Sequence, residues 1–266
     1  RAAVRAADEA LERSGADVVV GFGGYVAAPA YLAARRRGMP VVVHEANARP
    51  GLANRLGARR AAAVAVTFPG TPLPRAVVTG LPLRREIEQL LVQREEDPDR
   101  VRSAARAELG LAEQRRTLLV TGGSLGALSL NRALVAVGAE LVAAGAQVLH
   151  LTGKGKDAEV RAGAPREHYH VREYLPEMHL AYAAADLVVC RAGAGTVSEL
   201  AALGLPAVYV PLPIGNGEQR SNAQGVVAAG GGILVEDRDL TPSWLREHVL
   251  GLDDAQLEAM AQAAAR

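Results

Sequence analysis

The chain has 266 residues, 49% of them hydrophobic, with one cysteine and a formal net charge of +1. That composition supports about two α/β domain cores, while a lone cysteine and scattered histidines exclude a disulfide framework and zinc-type spacing. No apolar stretch approaches the ~20 residues that cross a bilayer and Arg1 opens no signal-peptide pattern; at 3% aromatic content there is no stacking platform, and nucleic acid is not an expected partner.

Taken in chain order, a helical pattern at 2–13 leads into short apolar runs at 17–22, 40–44, 62–68 and 76–79, with helix-like segments between the first pairs. Residues 84–116 are charge-dense, include Asp97-Pro98-Asp99, and read as a linker followed by a short helix. From 117 onward, runs at 117–121, 147–152, 169–175, 186–190, 207–212 and 232–236 alternate with helical patterns. Near-continuous apolar runs of this kind fit parallel strands covered on both faces by helices. The expected fold is therefore α/β with two doubly wound Rossmann-like domains: a first domain at 1–85, a linker and helix at 86–116, and a second domain at 117–266. The chain begins without an initiator Met and without an opening strand and glycine-rich turn, so the first domain is read as incomplete. The helical pattern at 255–266 also ends without a stop signal, as if clipped.

Charge divides unevenly. Residues 1–85 hold 13 Lys/Arg against 5 Asp/Glu, and residues 86–266 hold 17 against 24, balances of +8 and −7. A basic first half suits an anionic partner such as a lipid surface or a pyrophosphate.

The segment from Cys190 to Asn222 carries the strongest functional signal. Its apolar run breaks at Arg191-Ala192-Gly193-Ala194-Gly195, a helical pattern restarts at Thr196, and Gly204 and Pro206 stop it. A small-residue loop opening on a helix N-terminus presents free N–H groups and the positive end of the dipole to an anion. Thr196 to Glu199 equally fits a capping box, so the same residues read as a ligand site or as a helix start. The polar loop with Asn216, Glu218, Gln219, Arg220 and Asn222 closes the next run, at the strand end where ligands sit in open parallel sheets.

Two further glycine turns follow strands: Gly21-Phe22-Gly23-Gly24-Tyr25, and Gly122-Gly123-Ser124-Leu125-Gly126-Ala127, where Ser124 adds a hydroxyl to its N–H. The spacing of the second matches neither the dinucleotide fingerprint nor the Walker loop. Gly153-Lys154-Gly155-Lys156 reads as a surface turn, and the Asp-x-Asp pairs at 97–99 and 237–239 are assigned no metal. His44 reads as a satisfied loop residue, and Asn47 beside it can donate to and accept from sugar hydroxyls.

In order and spacing, Gly23-Gly24-Tyr25-Val26, His44-Glu45-x-Asn47, Gly80-x-Pro82-x-Arg84, Gly122-Gly123-Ser124-x-Gly126-Ala127, Glu173-Tyr174-Leu175 with Met178, Cys190-Arg191 to Glu199, and Glu218-Gln219 with Asn222 resemble the lipid II-forming N-acetylglucosaminyltransferases of bacteria. The resemblance spans nearly the whole chain and departs from the family pattern at Leu81, Leu125 and Gly195. It implies a glycosyltransferase-B architecture and inverting transfer of N-acetylglucosamine from UDP-N-acetylglucosamine to the muramyl 4-hydroxyl of lipid I, the undecaprenyl-pyrophosphoryl-muramyl-pentapeptide, without cofactor or metal. Carried over by position, the backbone of Leu175 meets uracil and Glu199 takes the ribose hydroxyls. Ser124 and the helix start Ala194, Gly195, Thr196, Val197 and Ser198 hold the pyrophosphate, with Asn47, Arg84 and Gln219 near the sugar or its phosphate. The family's expected base, a histidine in a Gly-Gly-Thr-Gly-Gly-His loop, has no counterpart in these residues, and His44 is not its equivalent; the expectation is a fragment that binds donor without turnover. An acceptor of this kind implies a peripheral protein on the cytoplasmic face of the plasma membrane. Tyr31, Leu32, Arg35, Arg36, Arg37 and Arg55 are the expected contacts with an anionic membrane surface. A sugar-nucleotide epimerase of the same fold and a nonenzymatic nucleotide-sugar-binding module are the competing readings.

Overall fold

The computed structural model describes residues 1–265. It divides into two compact units, residues 1–82 with 216–222, and residues 83–215 with the described residues from 223 onward.

In the first unit the order is α1 (Ala2–Ser14), β1 (Val19–Gly21), α2 (Ala27–Arg36), β2 (Val41–Glu45), α3 (Leu52–Ala58), β3 (Ala63–Val66) and β4 (Ala76–Val78). The strands form one parallel sheet in the order β1-β2-β3-β4. Its core gathers Tyr31, Ala34, Val43, Ala58, Val64 and Val66. Burial is complete only at the centre. β2 is covered almost throughout, whereas β1 and β4 leave Val20, Val77 and Val78 more than half exposed.

The second unit runs α4 (Arg85–Glu96), α5 (Pro98–Leu109), β5 (Arg116–Thr121), α6 (Leu128–Ala136), α7 (Gly138–Ala143), β6 (Ala146–Leu151), α8 (Asp157–Gly163), β7 (Tyr169–Arg172), α9 (Met178–Ala184), β8 (Leu187–Cys190), α10 (Ala194–Ala202), β9 (Ala207–Tyr209), α11 (Glu218–Ala228), β10 (Gly232–Leu234), α12 (Pro242–Leu245), a π-helical turn (Arg246–Leu250) and α13 (Asp254–Ala264). Residues 216–222, which open α11, group with the first unit. Six parallel strands lie in the order β10-β9-β8-β5-β6-β7. Their interior is the continuous apolar core that the runs predict, with Leu118, Val120, Val148, Val189, Val208 and Leu134 buried. The chain builds outward from β5 through β6 and β7, crosses back to β8, and builds outward again. The topological switch point therefore falls between β5 and β8, whose ends align with Thr121 opposite Cys190.

The segment read as a linker and short helix is instead two twelve-residue helices, α4 and α5. Each hides a narrow apolar stripe under a charged surface: Ile87 and Leu90 in α4, Val101, Ala105 and Leu109 in α5. Asp97 accepts from the Arg100 N–H at 3.0 Å and Pro98 occupies the first turn, so the Asp-Pro-Asp sequence starts a helix.

Candidate functional site

At the switch point two loops leave adjacent strands at their C-terminal ends: 122–127 after β5 and 191–193 after β8. The first is held by close backbone contact. A Cβ at Gly122 would lie 2.3 Å from the Ala127 nitrogen, and one at Gly126, where φ is +66°, would lie 2.0 Å from the Thr152 carbonyl oxygen. Only glycine permits this approach. Lys156 Nζ donates to the Leu125 carbonyl at 2.6 Å, so the Gly153–Lys156 turn buttresses the loop, a role beyond the surface turn read from sequence. Ser124 is exposed at its tip.

Thr152 is fixed in turn by a buried relay. Tyr169 O–H donates to His150 Nδ1 at 2.8 Å, His150 Nε2–H donates to Asn131 Oδ1 at 3.0 Å, and Asn131 Nδ2–H donates to the Thr152 carbonyl at 3.1 Å. The direction of every bond follows from the last, because an amide that donates through Nδ2 to a carbonyl must accept through Oδ1. Burial holds the ring neutral, pulling His150 down to about 4. Nothing in the local sequence pattern singles out this histidine, which stands inside an apolar run.

The second loop delivers α10. Gly193 is its N-cap, no side chain caps it, and the first intrahelical bond runs from the Val197 N–H to the Gly193 carbonyl at 2.9 Å. The helix starts earlier than the capping-box pattern suggests, and Thr196 and Glu199 do not form that box. Ala194, Gly195 and Thr196 thus supply the N–H groups that a helix start leaves without intrahelical partners. Val197 is 2% exposed and its N–H is engaged, so neither its side chain nor its amide is available to a ligand.

Glu199 is buried one turn further along. Its Oε1 accepts from Arg84 Nε at 2.8 Å, and its Oε2 from Arg84 Nη2 at 3.0 Å and from Tyr182 O–H at 3.0 Å. The carboxylate raises the Arg84 pKa, and burial, reinforced by the carboxylate, pushes the Tyr182 hydroxyl up. The second unit therefore brings together Arg84, Ser124 and residues 194–199. Leu175 follows β7, two strands from β5, and is 5% exposed.

Asn47 and Gln219 fall in the first unit. Asn47 sits in a turn organised by the buried Glu45, which accepts from the Asn47 N–H at 3.0 Å, the Gly51 N–H at 3.0 Å and Asn54 Nδ2 at 2.9 Å. Asn222 completes it: its Oδ1 accepts from the Ala48 N–H at 2.8 Å and its Nδ2 donates to Asn47 Oδ1 at 3.1 Å. Sequence reading attached no role to Glu45. His44 is 7% exposed and its Nε2–H donates to the Gly80 carbonyl at 3.0 Å, but it stands within β2 and its buried Nδ1 meets no hydrogen-bond partner, which corrects the reading of a satisfied loop residue.

Two of the expected membrane contacts are corrected. Tyr31 is 4% exposed, with its hydroxyl donating to Asn54 Oδ1 at 2.7 Å, because α2 turns it onto the sheet beside Gly21. Arg37 is engaged by Asp8 and Glu12 of α1, which hold its pKa up.

A parallel doubly wound sheet with a phosphate-suited glycine loop and an uncapped helix at its switch point, in a chain that carries a second parallel sheet wound in one direction, is an architecture that glycosyltransferase-B proteins share. The Glycosyltransferase family 28 C-terminal domain matches residues 117–266 and the Glycosyltransferase family 28 N-terminal domain matches residues 1–66. A UDP-N-acetylglucosamine--N-acetylmuramyl-(pentapeptide) pyrophosphoryl-undecaprenol N-acetylglucosamine transferase of Clavibacter sepedonicus is 63% identical over 258 residues, 96% of this chain and 68% of that protein. The protein of the same name from Streptomyces coelicolor is 54% identical over 268 residues, 100% of this chain and 72% of that protein. The crystal structure of Acinetobacter baumannii MurG superposes with a TM-score of 0.78 at 30% identity, over 98% of this chain and 72% of that one. A Listeria monocytogenes protein described as a UDP-N-acetylglucosamine 2-epimerase, at 16% identity and a TM-score of 0.66 over 99% of this chain and 72% of that one, shares the fold alone. The chain belongs to glycosyltransferase family 28, in its branch of N-acetylglucosaminyltransferases named for lipid-linked muramyl-pentapeptide acceptors.

Proposed function

We propose that the chain serves the transfer of N-acetylglucosamine from UDP-N-acetylglucosamine to the muramyl 4-hydroxyl of lipid I, giving lipid II for peptidoglycan synthesis and, through it, cell shape and division. The supporting observation is the switch-point mouth, where the uncapped, half-buried start of α10 lies at the same strand ends as the exposed Ser124 loop, one turn from a buried carboxylate. In this reading Glu199 takes the ribose hydroxyls and the Leu175 backbone takes uracil. The amides of Ala194, Gly195 and Thr196, with Ser124 and Ser198, take the pyrophosphate, while Asn47, Arg84 and Gln219 act near the sugar or its phosphate. The acceptor hydroxyl oxygen forms a bond to the anomeric carbon as the bond to UDP breaks, inverting that centre, and its proton passes to a general base that is none of the residues named above. The charge left on UDP is met by fixed amides that need no reorganisation during the step.

The acceptor's lipid tail places the reaction at a membrane, and we assign the docking surface to the first unit on the cytoplasmic face. Tyr25, Val26 and Leu52 are more than four-fifths exposed, and the packed helices α2 and α3 present Leu32, Arg35, Arg36, Arg55 and Leu56 to solvent. Among the described residues no helix is long and apolar enough to cross a bilayer. Reversing charge at Arg35, Arg36 and Arg55 is expected to abolish sedimentation with anionic vesicles at low salt; unchanged sedimentation would refute this surface.

The chemistry is tested by incubating the enzyme that carries this chain with UDP-N-acetylglucosamine labelled in the sugar and a lipid I analogue. Labelled disaccharide-lipid and free UDP are expected. Epimerised UDP-sugar without transfer would replace this reading with the epimerase one, and bound but unconverted donor would favour a binding module.

A further inference from the structure

Glu199 is 8% exposed, yet its partners differ in mobility. Tyr182 is 3% exposed and fixed in the core, whereas the Arg84 side chain is 48% exposed and free to leave at little cost in hydration. Glu199 follows Gly195 by four residues, so the two share a face of α10, and helical side chains lean toward the N-terminus. The Glu199 backbone therefore lies about one turn, ~5 Å along the axis, from the amides that open the helix, and the carboxylate that holds Arg84 leans toward them.

We propose that Arg84 is a specificity-determining residue that makes ribose binding at Glu199 conditional on a phosphate. The proposal rests on the reading of Glu199 as the ribose ligand. A buried carboxylate does not stay unpaired, so in the free protein Arg84 occupies both of its oxygens. An incoming ribose must displace that guanidinium, exchanging a bidentate ion pair for two hydrogen bonds in which only the carboxylate is charged. The exchange is unfavourable by itself. It becomes favourable when the displaced guanidinium meets a new anion within reach, and a phosphate seated on the α10 amides supplies one. Uridine brings the diol without the anion, and UDP brings both. The same ion pair thus opposes nucleosides and favours nucleotides, without a pocket shaped to exclude either.

Ligand-observed NMR titrations of uridine and UDP against the wild-type chain and the variants Arg84→Met, Arg84→Lys and Glu199→Gln test this. Arg84→Met should bind uridine about fivefold tighter and UDP about tenfold weaker, because the competitor and the phosphate partner are lost together. Arg84→Lys, which keeps the charge but not the two-pronged geometry, should shift uridine in the same direction by about twofold, and it carries the test if the methionine variant does not fold. Uridine binding that is unchanged or weakened in either folded variant overturns the proposal. Glu199→Gln separates the underlying reading: a loss of about tenfold or more for uridine supports the carboxylate as ribose ligand, and unchanged uridine binding overturns that assignment and the proposal with it.

Discussion

The two ends of the second sheet carry opposite kinds of polarity. At the N-terminal end of the strands lies a cavity of about 840 Å³ lined by Arg94, Arg102, Arg106, Arg115 and Arg116. Every one of these guanidiniums is already answered by protein. Arg94 donates to the Leu203 carbonyl, Arg102 to Asp99, Arg106 to Asp186 and two carbonyls, Arg115 to the Val142 and Ala146 carbonyls, and Arg116 to Asp254 and the Leu252 carbonyl. At the C-terminal end, by contrast, α10 opens with amides that its own helix cannot satisfy. Hydrogen-bonding capacity left over after folding marks a ligand site better than size or charge.

The largest expected effect lies at the satisfied end. Arg106 is 5% exposed, and its Nη2 reaches Asp186 Oδ2 at 2.6 Å, an oxygen that also accepts the Thr117 N–H at 2.6 Å. Arg106→Ala leaves a carboxylate and two carbonyls facing a void and is expected to cost about 3–5 kcal/mol in urea unfolding, while the fraction that stays folded binds UDP as before. A specific loss of UDP affinity in folded protein would break the division between the two ends.

The middle of the sheet answers to pH. The folded state keeps His150 neutral down to about 4, whereas the unfolded chain takes a proton below its ordinary value of 6.5. The unfolded state therefore binds more protons between those values, and stability present above pH 6.5 falls as pH drops toward 4, by roughly 3 kcal/mol. Replacing His150 with Leu should lower stability overall but flatten that slope, measured by urea unfolding from pH 7 to 4.5. An unchanged slope would show that the ring titrates normally.

At the open end, Gly126→Ala sets a methyl group against the Thr152 carbonyl at a backbone angle unfavourable to alanine. The loop must move, and UDP affinity should fall by about tenfold or more. Retained affinity would mean that the glycine loop does not touch the donor.

Much of this division is legible in the sequence, but unevenly. The apolar runs locate the strands of the second sheet because strands covered on both faces need near-continuous apolar residues. The glycine loop after β5 and the small-residue loop after β8 could be placed from local pattern as well. Contacts between residues far apart in the chain could not. Thr196 and Glu199 match a capping box within four residues, yet Glu199 is claimed by Arg84, 115 positions earlier, and by Tyr182, 17 earlier. Charge also concealed α4 and α5, where Ile87 and Leu90 three apart, and Val101, Ala105 and Leu109 four apart, supplied a helical stripe among acidic and basic neighbours. In the first unit the triple arginine looks uniform in sequence, but among the described residues Arg37 hydrogen-bonds Asp8 and Glu12 of α1 while Arg36 acts on Asp8 through its charge.

The smallest expected effect compares two serines five residues apart. Ser129, on the first turn of α6, donates to Asp237 Oδ1 at 2.7 Å and accepts from Arg191 Nη2 at 3.1 Å, so its hydroxyl is committed to the fold. Ser124 sits exposed on the glycine loop. Removing each hydroxyl should therefore cost different things. Ser129→Ala is expected to lower unfolding free energy by about 1 kcal/mol and leave UDP affinity alone. Ser124→Ala should leave the melting temperature within error and weaken UDP by about fivefold, the worth of one ordinary hydrogen bond of about 1 kcal/mol. Equal losses of affinity in the two variants would mean that the Asp237–Ser129–Arg191 chain also shapes the donor site. No loss from Ser124→Ala would leave the α10 amides to hold the pyrophosphate alone.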